Sequence, residues 1–399
     1  MMNKRKVGAV IIMRPNHNNY GTSLQGLATI QVLNKLGYPF HIIRYVKNDS
    51  FMDVMKKLPG LLRSGAFPVF LKRKKQKMQL KLNSIYANNI SKRNNSVNAF
   101  KNKYFEPLCD YYTGYDALKK GAFNYDVIFV GSDQVWGPLS IYSGFYNLLF
   151  VDKSIPHFSY ASSFGKSRIM EWQKGETAQF LNQLNTIGVR EIRGKEIVKE
   201  LTGRDATVVA DPTMLLTRSE WEELIASSKK TIDEPYILAY ILGNNAETRQ
   251  NIRKLARETN LKIVSFPHMD NYEPLDCDFG DIQVYDADCL DFVSLIKNAK
   301  YVCTDSFHCS VFSIIFHKQF LTFYRHKKTD KMSSNSRIDS LFELFGLKER
   351  LFNDTDDVLK KMQHSIEYDY VDEKLKVLNA ESMDFFKNAL ELDNKNFYE

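Results

Sequence analysis

The chain has 399 residues, too many for one minimal domain and an ordinary length for two. Hydrophobic residues at 44% and charged residues at 26% make a normal globular mixture, which excludes a disordered or fibrous protein. The formal net charge is +8, yet residues 54–105 alone carry thirteen Lys or Arg and no Asp or Glu, so the basic character belongs to one segment. No apolar run approaches the roughly 18 residues needed to cross a bilayer. The opening MMNKRKVGAVIIMRPNHNNYG lacks the long apolar core and cleavage site of a signal peptide. Five cysteines, an odd number without CxxC spacing, argue against a disulfide framework or a structural zinc site. The expectation is a soluble, cytoplasmic, two-domain protein.

Taken in chain order, VGAVIIM (7–13) is a continuous apolar run, as in a strand buried on both faces. The loop RPNHNNYG leads into a helix in which Leu24, Leu27, Ala28, Leu33 and Leu36 fall near helical spacing, with Gly37 as its stop. PFHIIRYV (39–46) is a second strand. The basic segment follows. After it, YDVIFVGSDQVW (125–136) and HFSYASSFG (157–165) are each a strand running into a polar turn. A helix over 169–184, a strand over 187–191, a helix over 193–201 and VVADPTMLL (208–216) complete a first cycle. A boundary near 205–235, with TRSEWEELIASSKKTIDEP as connector, opens a second. Its strands are 235–242, 261–267, 301–308 running into a turn, and 319–325, separated by helices such as 289–299 and SVFSIIFH. The stretch beyond is mostly helical.

Such alternation predicts an α/β protein of parallel sheets covered by helices. The divisions are an N-terminal domain 1–215 with a basic insert at 51–105, a C-terminal domain 216–350, and helices over 351–399 packing back on the first domain. NYDVIFVGSD (124–133) and NAKYVCTDS (298–306) echo each other, an apolar strand before a small, polar, acidic turn. In open parallel sheets the residues past the carboxyl ends of the strands line the ligand crevice, so the two turns should meet in an interdomain cleft.

The basic segment interleaves its charges with Phe51, Met52, Leu58, Leu61, Phe67 and Phe70. That mixture over 51–81 suits peripheral contact with an anionic membrane face, at roughly 1 kcal/mol per Lys or Arg near the lipid. It equally suits a solvated helical hairpin. Nucleic acid has no supporting signature. The GxGxxG of a nicotinamide site is absent, and SSFGK (162–166) lacks P-loop spacing. No His, Cys or carboxylate spacing calls for a metal. Cys303 and Cys309 flank His308, but a cysteine inside an apolar strand is more often a small core filler than a nucleophile.

The pieces NYGTSLQGLAT, VGSDQVW, YASSFG, GVRE, ADPTMLL and TDSFHCSVFSIIF occur in the order found in the polysaccharide pyruvyl transferases, and the chain resembles that family over about residues 7–350. The resemblance implies a GT-B-like architecture of two Rossmann-like domains with the active site between them. It implies transfer of pyruvate from phosphoenolpyruvate onto two hydroxyls of a cell-surface polysaccharide, or of its lipid-linked precursor, as a cyclic ketal. Phosphoenolpyruvate is then a co-substrate, with no further cofactor. One feature departs from the family, where an Arg commonly stands two positions before the His of the second-domain turn. Here TDSFH puts Ser306 there, leaving Arg325 and Arg337 as candidates to replace it.

On this reading Arg190, emerging from an apolar strand end, grips the donor by bidentate hydrogen bonds, with Arg193 a weaker candidate and a surface ion pair to Glu191 or Glu196 the plainer alternative. His308, at a helix start where free N–H groups favour anions, binds phosphate or carries a proton. His317 reads as structural. Asp133 and Asp305 are candidate acid–base residues or simply N-caps. Ser306, Ser163 and Gly165 join the donor set. Asn18, Asn19, Gly21, Gln25, Ser132 and Asp133 are the expected acceptor contacts. Replacing Arg190 or His308 by Ala should abolish transfer and leave the fold intact. The competing readings are a sugar-nucleotide glycosyltransferase of the same architecture and a non-catalytic scaffold of polysaccharide assembly.

Overall fold

The computed structural model describes residues 4–13, 19–48, 78, 82–137, 144–228, 230–268, 272–325, 335–353 and 355–393. Most of the basic segment, 51–77 and 79–81, and with it the expected membrane contact, lies outside the described residues, as does Asn18.

The first domain holds β1 (Val7–Val10), α1 (Tyr20–Leu36), β2 (Phe40–Val46), α2 (Ser84–Tyr104), β3 (Cys109–Thr113), α3 (Tyr115–Ala122), β4 (Val127–Val130), β5 (His157–Ser162), α4 (Glu171–Gln183), β6 (Ile187–Val189), α5 (Ile192–Thr202) and β7 (Thr207–Val208). Its strands form a parallel sheet in the order β3-β2-β1-β4-β5-β6-β7. Two helices, α6 (Pro212–Leu215) and α7 (Arg218–Ile225), span the connector. The second domain continues with β8 (Tyr236–Tyr240), α8 (Ala246–Thr259), β9 (Lys262–Ser265), β10 (Ile282–Gln283), α9 (Cys289–Asn298), β11 (Tyr301–Thr304), α10 (Phe307–Ile315), β12 (Gln319–Phe323), α11 (Ser336–Phe345) and β13 (Leu351–Phe352). Its sheet is also parallel, ordered β10-β9-β8-β11-β12-β13. Helices α12 (Val358–Gln363) and α13 (Tyr368–Leu390) end the described chain. This is the expected α/β class, two Rossmann-like units with parallel sheets.

Both sheets reverse direction at their centres. The chain runs outward from β1 to β3 and restarts at β4 beside β1; it runs from β8 to β10 and restarts at β11 beside β8. Such switch points leave a crevice at the carboxyl ends of the two central strands. The central strands are fully buried apolar runs, VIFV in β4 and YILAY in β8, as strands covered on both faces require.

The domains are joined by apolar and polar contacts. Tyr20 at the start of α1 stacks on Phe292 of α9 with ring centroids 4.6 Å apart, and its hydroxyl donates to Ala287 O at 3.1 Å. Arg93 of α2 lies over the Tyr20 ring at 4.9 Å and donates to Val284 O (2.8 Å) and Tyr285 O (3.0 Å). At the end of the basic segment, α2 reaches the second domain through a buried arginine; the expected hairpin, like the membrane contact, lies mostly outside the described residues. Trp221 of α7 packs edge-on against Phe312 of α10. From α13, Phe386 packs on Phe129 and Tyr160, while Ser382 Oγ accepts the Ala210 N–H at 2.8 Å, placing this helix against the first domain's sheet.

Candidate functional site

The site grows from the two switch points. At the end of β4 the chain passes through Gly131 and Ser132 to Asp133, whose φ of 70° is left-handed, a conformation that Asp tolerates better than most residues. At the end of β6 Arg190 and Glu191 follow directly, because the strand stops at Val189 rather than continuing to 191. In the second domain β11 ends in Asp305 and Ser306, and α10 opens with Phe307 and His308.

Arg190 is the centre. Its side chain is 1% exposed and its Nη1 donates to Asp211 Oδ2 at 2.8 Å, its Nη2 to Asp133 Oδ1 at 3.3 Å. Glu191 Oε2 lies 3.8 Å from Arg190 Nε, and the guanidinium sits 4.4 Å over the Phe307 ring. The anticipated pairing with Glu191 is therefore the weakest of three, and Glu196 instead binds Arg193. Asp211 is tied on every side. Its Oδ1 accepts Thr213 N (3.1 Å) and Thr213 Oγ1 (2.8 Å), and its Oδ2 accepts Ser132 Oγ (3.1 Å). His308 Nε2 stands 3.5 Å from the same Oδ2, within ion-pair range but too long for a good hydrogen bond. An Asp from the connector thus bridges an arginine of one domain and a histidine of the other.

The charges shape the protonation of the carboxyls. Burial alone would raise Asp133, but Arg190, His308 and Arg337 outweigh it and hold the carboxyl down at about 2. Burial also opposes ionisation of Asp211, and His308 and Arg190 prevail there too. Glu191 goes the other way: burial raises its pKa more than Arg190 and the Ser163 hydroxyl lower it. Arg337, from the first turn of α11, is pulled down to about 10 by burial and by the neighbouring Arg190 charge. The two guanidiniums share the counter-charges of Asp133 and Glu191, so the cluster concentrates both signs of charge in one buried place.

Four buried polar atoms here lack hydrogen-bond partners among the described residues: Arg190 Nε, Glu191 Oε2, His308 Nε2 and Arg325 Nε. Orphaned buried polar atoms are uncommon in folded proteins, and these four fall on residues of the cluster or its neighbouring loops.

The other expected residues divide sharply. Asp305 accepts the backbone N–H groups of Leu242 (2.8 Å) and Gly243 (2.7 Å), and Arg325 Nη2 donates to its carbonyl at 3.1 Å; it ties the β8 and β11 loops together rather than N-capping α10, whose N-cap position belongs to Ser306 without a side-chain capping bond. Ser163 Oγ donates to Glu191 Oε1 (2.5 Å) and accepts the Gly165 N–H (3.0 Å), so that N–H is already used within the turn. Gln25 is fully buried. Its Oε1 accepts the Ser132 N–H and its Nε2 donates to Thr22 O, so it props the β4 turn where a sugar contact was expected. Ser132, also fully buried, serves Asp211 in the same way. Asn19 caps α1 through the Thr22 N–H, and Thr22 Oγ1 donates to Asp133 Oδ2 at 2.8 Å. Gly21 faces His308, not open space: a Cβ there would stand 2.1 Å from the imidazole Nδ1.

Arg193 belongs to the surface, bound to Glu196 and Glu200. His317 stacks on Tyr368 and pairs with Asp372, anchoring α13. Burial drives the Cys309 thiol up to about 12 and Cys303 higher still, so neither is a ready nucleophile. The residues missed by sequence reasoning are Asp211, Glu191 and Phe307. Each lies inside a quoted motif, but an Asp before Pro reads as a helix cap, which Asp211 also is.

No curated protein matches the sequence. Among solved structures, a UDP-GlcNAc 2-epimerase from Neisseria meningitidis aligns at 11% identity over 95% of this chain and 100% of its own, with a TM-score of 0.48. The trehalose-6-phosphate phosphatase N-terminal domain of Candida albicans aligns at 10% identity over 96% of each chain, TM-score 0.50, a likeness of fold alone. The family model for polysaccharide pyruvyl transferase matches residues 19–327, a span that begins at the cap of α1 and takes in Asp133, Arg190, Asp211 and His308. The chain belongs to the polysaccharide pyruvyl transferase family.

Proposed function

We propose that this protein transfers the enolpyruvyl carbons of phosphoenolpyruvate to two hydroxyls of a saccharide, forming a cyclic pyruvate ketal and releasing phosphate. The observation that carries the reading is the gathering of Arg190, Arg337 and His308 around Asp133, with Arg190 Nε and His308 Nε2 still without hydrogen-bond partners among the described residues. A small donor with a carboxylate and a phosphate suits such a set, and planar guanidiniums match both groups. Arg337 supplies the guanidinium that the family motif carries two residues before its His and that Ser306 cannot.

The chemistry divides among the remaining groups. The methylene carbon of the donor gains a proton, and the adjacent carbon takes the first sugar hydroxyl to give a tetrahedral phosphate adduct. The carbon–oxygen bond to phosphate then breaks, and the second hydroxyl closes the ring. One hydroxyl proton balances the new methyl group and the other leaves with phosphate. Asp133, held ionised, suits accepting a hydrogen bond from a sugar hydroxyl and orienting it for attack. Glu191, whose pKa is raised, is the better placed of the carboxyls to donate one. His308 at the helix N-terminus suits the departing phosphate. Asp305 serves as a positioning residue for the β8 and β11 loops. The acceptor belongs to a cell-surface glycan or its lipid-linked precursor, and the charge pattern of 51–81 favours work at an anionic membrane face.

The test is phosphate release from phosphoenolpyruvate that depends on an added saccharide. Saccharide-dependent release supports the reading. Transfer from a nucleotide sugar without consumption of phosphoenolpyruvate would replace it with the glycosyltransferase alternative.

A further inference from the structure

A concavity lies between α2 and the carboxyl end of β9, away from the arginine cluster. It has a volume of about 340 Å³, within the range of small-molecule sites, and is lined from the first domain by Tyr86 and Asn89 and from the second by Tyr272, Glu273, Cys277 and Tyr285. We propose that this pocket is a saccharide subsite, holding a sugar unit of the acceptor glycan that is not the unit being pyruvylated. The inference rests on the proposed saccharide acceptor and adds where a longer acceptor is held.

Three features argue for a neutral sugar. Tyr272, half-buried, meets the buried Tyr86 edge to face with centroids 5.0 Å apart and offers its apolar ring surface to the C–H face of a pyranose. Asn89 and Glu273 stand beside those rings, able to meet hydroxyls at a sugar's rim. Among the described residues the lining holds His268 but no Lys or Arg, and one of its two carboxylates, Asp276, is already paired with Arg249 at 2.6 Å. Two carboxylates disfavour a phosphate or nucleotide, whereas a polyol needs no counter-charge. The lining is also held in shape: Tyr285 donates to Gln283 Oε1 at 2.8 Å, and Gln283 Nε2 to Asp276 O at 2.7 Å.

Its position fits an extended acceptor. The pocket sits past the end of β9, two strands along the sheet from β11, which delivers His308. Two strand spacings are roughly 10 Å. The two places are joined by packed residues: Arg93, one turn beyond Asn89 on α2, links Tyr285 O to the ring of Tyr20, whose neighbour Gly21 faces His308.

Cys277 makes the proposal testable without turnover. It is the one exposed thiol among the five cysteines, it lines the pocket, and its Sγ is 3.5 Å from the Tyr272 hydroxyl. The full chain is alkylated with iodoacetamide, and modification of Cys277 is followed by peptide mass, alone and with a panel of neutral hexose and N-acetylhexosamine tetrasaccharides, phosphoenolpyruvate or UDP. At least one tetrasaccharide should slow alkylation about tenfold when present at about ten times its dissociation constant. Phosphoenolpyruvate and UDP should not. Asn89→Ala and Tyr272→Ala, both at partly exposed positions, should remove the protection and leave the melting temperature near that of the parent. Protection by UDP in place of saccharides, or by no member of the panel, overturns the subsite. Saccharide protection without any phosphate release would keep the subsite and overturn the donor reading; release without protection would do the reverse.

Discussion

Gly21 on α1 and His308 on α10 touch across the domain boundary so closely that a methyl group on the glycine would come within 2.1 Å of Nδ1 and 2.4 Å of Cγ of the imidazole. The absence of a side chain at position 21 is thus what allows the histidine of the second domain to reach Asp211 beside the first. Gly21→Ala must push the ring away from that carboxylate. A displacement of about 1 Å at a reacting group can lower turnover about a hundredfold, and a loss of that order in saccharide-dependent phosphate release is expected here. Gly175, on the exposed side of α4, has nothing within 4 Å of the place an added methyl would take, so Gly175→Ala should leave turnover alone and raise stability by about 0.5–1 kcal/mol. Equal activity of the two variants would separate Gly21 from the chemistry.

Arg190→Ala and His308→Ala should not behave alike in stability, contrary to the expectation that both leave the fold intact. Removing Arg190 leaves Asp133 and Asp211 buried without their principal counter-charge, and breaking a buried pair in this way costs about 3–5 kcal/mol. His308 has one distant ion-pair partner, so its removal should abolish turnover with a much smaller stability change. Denaturant unfolding of both variants decides the matter. The double variant Arg190→Ala with Asp211→Asn should recover part of the lost stability, since it removes one of the stranded charges.

These consequences show where sequence reading succeeds and where it stops. The buried central strands are legible because VGAV, VIFV and YILAY are apolar runs bounded by turns, and parallel pairing follows from their alternation with helices. The edge strands are not: CDYYT in β3 is half-exposed and polar, and β7, β10 and β13 are two residues each, too short to carry a period. At the site, Arg190 and His308 are legible from their places after strands. Gln25 and Ser132 misled because amide and hydroxyl side chains look alike whether they face a sugar or, as here, a neighbouring loop. Asp211 stayed hidden because its capping bond to Thr213 is local, whereas its contacts to Arg190 and His308 span 21 and 97 positions, beyond any spacing rule.

Asp211→Asn therefore tests a residue whose role comes from the structure alone. The substitution keeps the shape and the Thr213 contacts but removes the charge that faces both Arg190 and His308. Loss of one preorganised electrostatic partner commonly lowers turnover by about 10²–10³, and that range is expected for phosphate release. An unchanged rate would confine Asp211 to capping α6.

Acid stability offers a last, independent reading of the same cluster. Asp133 has a folded pKa of about 2, below its ordinary value near 3.8, so its ionisation stabilises the native state above the unfolded value and that contribution fades as pH falls from about 4 toward 2. Holding the carboxyl that low contributes roughly 2 kcal/mol at neutral pH. Asp211, also lowered, adds in the same direction. Glu191 opposes them, because a raised pKa favours the native state at low pH and gives that advantage up as pH rises through it. With two carboxyls lowered and one raised, the cluster as a whole should lose stability on acidification. Unfolding free energies measured from pH 6 to pH 2 should fall less steeply for Asp133→Asn than for the parent chain; parallel curves would mean that Asp133 is not held by Arg190 in solution.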